Sequence, residues 1–308
     1  MDATVSVTEI SKRFGDLLAV DAVSFDVYPG EIFGLLGPNG AGKTTTIRMM
    51  LDIFHPDSGT VSVFGGPWSE KKKRRVGYLP EERGLYKDQP LGRVIAYLAT
   101  LKGLTRDEAL ARMEPWLERL DLAEHRMKKV DRLSRGMQQK AQLIATLLHE
   151  PDLIVVDEPF SGLDPVNTRL VKEIILEQAA AGRTIIMSTH QMHQVEALCN
   201  RILLVHRGRR VLYGEVTDIK RGHAGNALLV RGSGDIGHIP GVLDARRSNG
   251  EWRLSLSPDV DPQEVLRELA CRDNVWVERF EVAEPSLEDI FVAAVKGDVA
   301  QAPEAMNA

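Results

Sequence analysis

Apolar and polar positions alternate at Val5-Ser6-Val7 and again at Val23-Ser24-Phe25-Asp26-Val27, the period of half-buried strands. Tyr28-Pro29-Gly30 turns the chain into a third run, Glu31-Ile32-Phe33-Gly34-Leu35-Leu36. That run is mostly apolar, as expected of a strand covered on both faces. It enters a glycine-rich loop and then a helix predicted to begin near Lys43. Strand, glycine loop and helix in that order open a βαβ unit.

Residues 93–149 read mainly as helices, with Val94, Tyr97, Leu98 and Leu101 at helical spacing and then Leu110, Met113, Leu117 and Leu120. Most of the first stripe is expected to pack inside a helical subdomain. An α/β alternation follows: strand 153–156, helix 170–180, strand 184–187, helix 192–199 and strand 202–205. Residues 221–226 suit a linker. Beyond it lies a small α+β module (227–300), with strands at 227–230, 252–256 and 275–280. Its helices are predicted at 262–270, capped by Asp261, and at 287–295, where Ser286 and Asp289 form a capping pair. Residues 301–308 are expected to be a disordered tail.

The 308 residues suit one large domain with an appendage, or two domains. Acidic residues (44) outnumber basic ones (39), for a net charge of −5, which argues against retention on nucleic acid by bulk electrostatics. Cys199 and Cys271 lie far apart with no CxxC spacing, so neither a disulfide scaffold nor a zinc site is expected and a reducing, cytoplasmic setting fits. The N-terminus lacks signal-peptide character. No apolar run approaches the ~18 residues of a spanning helix. Any membrane work requires another chain.

Gly37-Pro38-Asn39-Gly40-Ala41-Gly42-Lys43-Thr44 satisfies the Walker A pattern. Its glycines let backbone amides turn inward as an anion-binding nest, to which a following helix N-terminus adds partial positive charge. Lys43 can then reach the β- and γ-phosphates, and the Thr44 hydroxyl can ligate Mg²⁺. The pattern fits ATP or GTP. Further on, an apolar strand ends in Asp157-Glu158. A carboxylate at that tip suits a water-mediated magnesium shell, and its neighbour can orient and deprotonate an attacking water.

Leu133-Ser134-Arg135-Gly136-Met137-Gln138-Gln139, shortly before that strand, resembles the signature of the ATP-binding cassette (ABC) ATPases. Ser161-Gly162-Leu163-Asp164 is similar to their D-loop, and His190 to their switch histidine. The resemblance covers residues 1 to about 220. It implies an α/β fold: a P-loop NTPase core with an antiparallel β subdomain, a helical subdomain at about 85–148, and the appended α+β domain. It also implies ATP and Mg²⁺ as cofactors, with Phe14 stacking on adenine and residues Gly37 to Thr45 (Thr45 included) holding the phosphates. Asp157, Thr44 and Glu81 would hold the metal, Glu158 would be the catalytic base, and His190 would contact the γ-phosphate. A head-to-tail homodimer or heterodimer follows, in which Ser134, Arg135, Gly136 and Met137 of one subunit close over ATP on the other, with Asp164 in the D-loop. The remaining implied partner is an integral-membrane permease, which places the chain on the cytoplasmic face of the membrane.

Two positions depart from the commonest pattern. Arg135-Gly136-Met137 stands where Gly-Gly-Gln is usual, and Glu81 aligns with the Q-loop glutamine. Both departures, and the run Glu284-Pro285-Ser286-Leu287-Glu288-Asp289-Ile290-Phe291, resemble the drug, sodium and antibiotic exporter branch. A groove beside Glu81–Tyr86 and the helix from Arg93 is the expected docking surface for the permease. The alternative is a soluble ABC ATPase acting on ribosomes or nucleic acid. Lys71-Lys72-Lys73-Arg74-Arg75 reads as a solvated helix face.

Overall fold

The computed structural model describes residues 2–294 apart from 83, 224–226, 238, 249, 258–259, 284 and 293. Two compact units emerge, residues 1–215 and 216–308, dividing within the expected first domain rather than at 221–226. Part of that expected linker (224–226), the end of the predicted helix at 295 and the tail at 301–308 lie outside the described residues.

In chain order the first unit contains β1 (Val5–Phe14), β2 (Leu17–Val27), β3 (Ile32–Leu36), α1 (Lys43–Met50), β4 (Ser58–Val63), α2 (Glu70–Lys73) and β5 (Val76–Leu79). It continues with α3 (Leu91–Leu101), α4 (Arg106–Arg119), α5 (Arg135–Leu147), β6 (Leu153–Asp157), α6 (Pro165–Ala180), β7 (Thr184–Thr189), α7 (Met192–Leu198), β8 (Arg201–His206) and β9 (Arg209–Glu215). β1 and β2 reach further toward each other than the alternation at their outer ends predicts, and β4 joins them in an antiparallel sheet ordered β2-β1-β4. The main sheet runs β5-β6-β7-β3-β8-β9, parallel except for the β8–β9 hairpin. β3, β6 and β7 are buried along their whole lengths, which is why they read as apolar runs rather than alternations. A shared core joins the two sheets around α1, with Phe25 stacked on Phe33 at 5.4 Å.

α3, α4 and α5 form the helical layer. α4 starts at a capping box between Thr105 and Glu108 and buries Ala109, Met113 and Leu117. α3 presents a different face from the predicted one. Leu91, Val94, Ile95 and Ala99 point inward, whereas Tyr97 and Leu101 are exposed. The basic run has no buried residue, as expected of a solvated face, but three of its cations are engaged. The Lys72 ammonium donates to Val63 O at 2.7 Å, Lys73 faces Asp52 at 3.5 Å, and Arg75 pairs with Asp152 while lying 4.1 Å from the Phe64 ring centroid.

The second unit holds α8 (Val216–Gly222), β10 (Ala227–Ser233), β11 (Val242–Ser248), β12 (Glu251–Leu256), α9 (Pro262–Ala270) and β13 (Trp276–Val282). Its antiparallel sheet is ordered β11-β12-β10-β13. Val265 and Leu269 of α9 share a core with Leu228, Val230, Leu254 and Leu256. The Asp261 carboxylate caps α9 by accepting from Gln263 N at 2.9 Å, and Ser286 accepts from Asp289 N at 3.1 Å.

Candidate functional site

In a parallel sheet all strands end at one edge, and loops from neighbouring strands converge there. The register sets Leu36 of β3 beside Thr189 of β7, and Ser188 of β7 beside Asp157 of β6. The loops after β3, β6 and β7 therefore meet, bringing the glycine loop, the acidic pair and His190 together.

The glycine loop needs its glycines for space as well as for conformation. At Gly37 (φ +149°) a β-carbon would lie 2.2 Å from Val205 O, and at Gly42 (φ +105°) 2.5 Å from Ala19 O. Gly42 is the N-cap of α1 and supplies no side-chain cap, which leaves the first amides of the helix for a ligand. The Lys43 ammonium donates to Gly37 O at 2.7 Å and to Pro38 O at 3.3 Å, and lies 3.4 Å from a Glu158 carboxylate oxygen. Both partners of this ion pair are buried.

Glu158 sits at φ +50°, a left-handed conformation that costs a non-glycine residue ~1–2 kcal/mol. Surrounding contacts hold it there: its amide donates to Ser188 Oγ at 3.1 Å and Ser188 O at 3.2 Å, and its carboxylate meets His190 Nδ1 at 2.9 Å. The Ser188 hydroxyl in turn donates to Asp157 Oδ1. Asp157 is 1% exposed, and its other oxygen has no hydrogen-bond partner among the described residues. The open Asp157 oxygen lies in a cavity shared with Glu81, and Glu81 and Thr44 line the adjoining cleft, a donor set of the hard-oxygen kind that magnesium takes. No group of three or more His, Cys, Asp or Glu among the described residues could enclose a metal, so such an ion would draw its other ligands from phosphate and water.

Phe14, Leu17–Ala19, residues 38–45, Glu81, Glu158, Arg207 and Gly208 line a cleft of about 500 Å³. Phe14 is 44% exposed there and meets Phe54 edge-on at 5.7 Å. A smaller adjoining cavity is lined by Glu81, Gln139, Gln142, Asp157, Glu158 and Ser161. Gln139 is fixed by donating to Pro159 O at 2.6 Å.

The structure thus assembles Phe14, the glycine loop, Glu81, Asp157, Glu158 and His190. It does not bring Ser134, Arg135, Gly136, Met137 or Asp164 to the cleft wall. Ser134 instead caps α5, accepting from Met137 N at 3.3 Å, and Ser134 and Arg135 are exposed. Asp164 caps α6 in the same way, accepting from Asn167 N at 2.9 Å and Val166 N at 3.0 Å, and the Asn167 amide bond holds its carboxyl below the usual range.

Ser188, Gln142, Arg207 and the Leu17–Ala19 wall belong to the site without having been singled out in the sequence. The place of Ser188 at the end of an apolar strand was a usable signal; Arg207 offered none beyond the Arg207-Gly208 turn.

A second groove, of about 280 Å³, lies between the 78–85 segment, α3 and α5, lined by Tyr78, Pro80, Leu85, Leu98, Leu101 and His149 among others. Burial pushes Tyr78 up to about 12 and His149 down to about 4. Tyr86 and Tyr97 pack edge-on at 5.9 Å, both exposed.

Residues 20–161 match the ABC transporter family, and residues 214–295 match the C-terminal domain of DrrA1-3-like ATP-binding proteins. The uncharacterized ABC transporter ATP-binding protein YhaQ of Bacillus subtilis is 38% identical over 294 residues, covering 94% of this chain and 98% of that protein. The Nod factor export ATP-binding protein I of Burkholderia pseudomallei is 40% identical over 215 residues, 69% of this chain and 71% of that one. Among solved structures, an ATP-binding subunit of an ABC transporter superposes with a TM-score of 0.67 at 32% identity, covering 71% of this chain and 92% of that one. CbiO1 of Clostridium perfringens, part of the transporter complex cbiONQ, gives 0.62 at 25% identity, with 71% and 91% covered.

Proposed function

This chain belongs to the ATP-binding proteins of ABC transporters, which are ATPases, and we propose that it powers export of a small molecule or ion through a separate integral-membrane permease. Two copies face head to tail, each closing its signature over ATP held by the other's glycine loop. The observation that carries this reading is the split between the two half-sites: one set of anion-binding elements lines the cleft, while Ser134, Arg135 and Gly136 open a second helix N-terminus away from it. Two-fold pairing completes both sites at once.

Within each site the α1 amides and Lys43 hold the β- and γ-phosphates, and the Phe14 ring takes the base. Glu158 accepts the proton of the attacking water, and His190, bonded to Glu158 at 2.9 Å, fixes that carboxylate and faces the γ-phosphate. Thr44, Glu81 and Asp157 would hold Mg²⁺, which would supply neutralisation of the phosphate charge. Closure is favoured while the γ-phosphate bridges the two copies and is released when hydrolysis removes it.

No helix among the described residues is long and apolar enough to cross a membrane, and in this reading the permease is a second chain. Its cytoplasmic helix docks in the groove beside α3, where Tyr86, Tyr97 and Leu101 stand exposed. Export as the direction rests on the Nod factor export relative. Affinity purification of the tagged chain from detergent-solubilised membranes tests the proposal. An integral-membrane protein in stoichiometric amount is expected; ribosomes or nucleic acid in its place would overturn it.

A further inference from the structure

β8 and β9 are joined by a two-residue turn, with His206 paired to Arg209 and both central residues at positive φ: Arg207 at +48° and Gly208 at +78°. Turns of this kind favour Asn, Asp or Gly at the first position, because a β-carbon is strained there. Phe64 before Gly65 carries the same strain (φ +48°), but its ring packs on the core and receives the Arg75 guanidinium. Arg207 has no such compensation within the fold. It is exposed and makes no hydrogen bond, ion pair or ring contact with any described residue. The nearby Asp21 carboxylate is occupied by Arg209 at 2.7 Å.

The turn is nevertheless firmly placed. Gly208 N donates to Ala41 O in the glycine loop at 2.9 Å, Gly208 O accepts from Asp21 N at 2.9 Å, and a β-carbon on Gly208 would come 2.8 Å from Ala19 O. Arg207 is thereby held on the wall of the nucleotide cleft, on the side formed by Leu17, Leu18 and Ala19. The other cation on that wall, Lys43, is already engaged by two carbonyls and Glu158. Arg207 is the uncommitted one among the described residues.

Resting on the ATP site proposed above, we propose that Arg207 is a further nucleotide-binding residue, its guanidinium taking the ribose and α-phosphate end of ATP between the Phe14 base platform and the phosphate loop. The strained turn is kept because it presents a cation where the cleft otherwise offers none. On the side of the cleft formed by Leu17–Ala19, this is a binding contact shared by ATP and ADP rather than a contact to the γ-phosphate.

Arg207→Asn separates binding from folding, since Asn tolerates positive φ better than Arg. Titration of the full chain with fluorescent ATP and ADP analogues is expected to show about a 5- to 10-fold loss of affinity for both, the scale of one exposed charge-assisted contact. The melting temperature of the nucleotide-free variant should equal or exceed that of the wild type. Affinity within twofold of wild type would overturn the inference, as would a loss confined to ATP or a fall in nucleotide-free melting temperature. Failure of the unsubstituted chain to bind ATP would instead refute the site itself, so the two failures are told apart.

Discussion

Ser188→Ala isolates a contact on which both acidic residues depend. The Ser188 hydroxyl is the described partner of Asp157 Oδ1, while Asp157 Oδ2 has none. The Glu158 amide keeps a second acceptor, Ser188 O at 3.2 Å, so its loss is partial. Removing the hydroxyl therefore strands a carboxylate that is 1% exposed. A hydrogen bond to a charged group contributes about 1.5–3 kcal/mol, and leaving the group buried and unpartnered places the expected destabilisation near the upper end, about 2–3 kcal/mol. For a unit of this size that is a fall in melting temperature of about 5–10 °C. Glu158 also loses one of the contacts that hold its left-handed backbone, so kcat should fall about tenfold with little change in KM. Differential scanning calorimetry and phosphate-release kinetics read the two effects. A melting temperature within a degree of wild type together with normal turnover would show that the Ser188–Asp157 bond is not structural in the way the geometry indicates.

Lys43→Ala removes the cation of the phosphate loop, and ATP affinity should fall about 10- to 100-fold by equilibrium titration, the range of one or two charge-assisted phosphate contacts; unaltered affinity would count against the loop assignment. His149 lies against the groove with burial holding it at about 4, below its ordinary value of 6.5. The folded state therefore binds fewer protons than the unfolded state between these values, and stability is lost as pH falls from about 6.5 to about 4. Denaturant unfolding across that window should show His149→Gln lacking roughly 2–3 kcal/mol of this acid sensitivity; identical pH profiles for the two proteins would refute the linkage.

Features governed by neighbours in the chain were legible in the sequence. The glycine loop, the apolar strand ending in Asp157-Glu158, and the caps at Asp261 and Ser286 each depend on a few adjacent residues. β4, β9 and β11 were harder, because their half-exposed, polar or charged sequences lack clean alternation. β5 spans only four residues after the basic run, too short for a periodic signal. α3 carries apolar residues toward the core and toward the groove, so periodicity marked a helix while leaving its buried face ambiguous. Arg207, and the pairing of Ser188 with Asp157, were harder to read for another reason. The significance of Ser188 comes from cross-strand register with Asp157 on the neighbouring strand, and that of Arg207 from a turn held against Ala41 of the glycine loop, far away in the chain.

The claim on which the rest depends is that ATP joins two facing copies, and it is tested most directly by sizing the Glu158→Gln chain with and without MgATP. The substitution removes the base while keeping the shape of the side chain, so ATP should bind and persist. Light scattering coupled to size exclusion should show a monomer without nucleotide and a dimer with MgATP, carrying two unhydrolysed ATP molecules. A chain that stays monomeric at saturating MgATP, or one that hydrolyses ATP at the wild-type rate, would contradict the account.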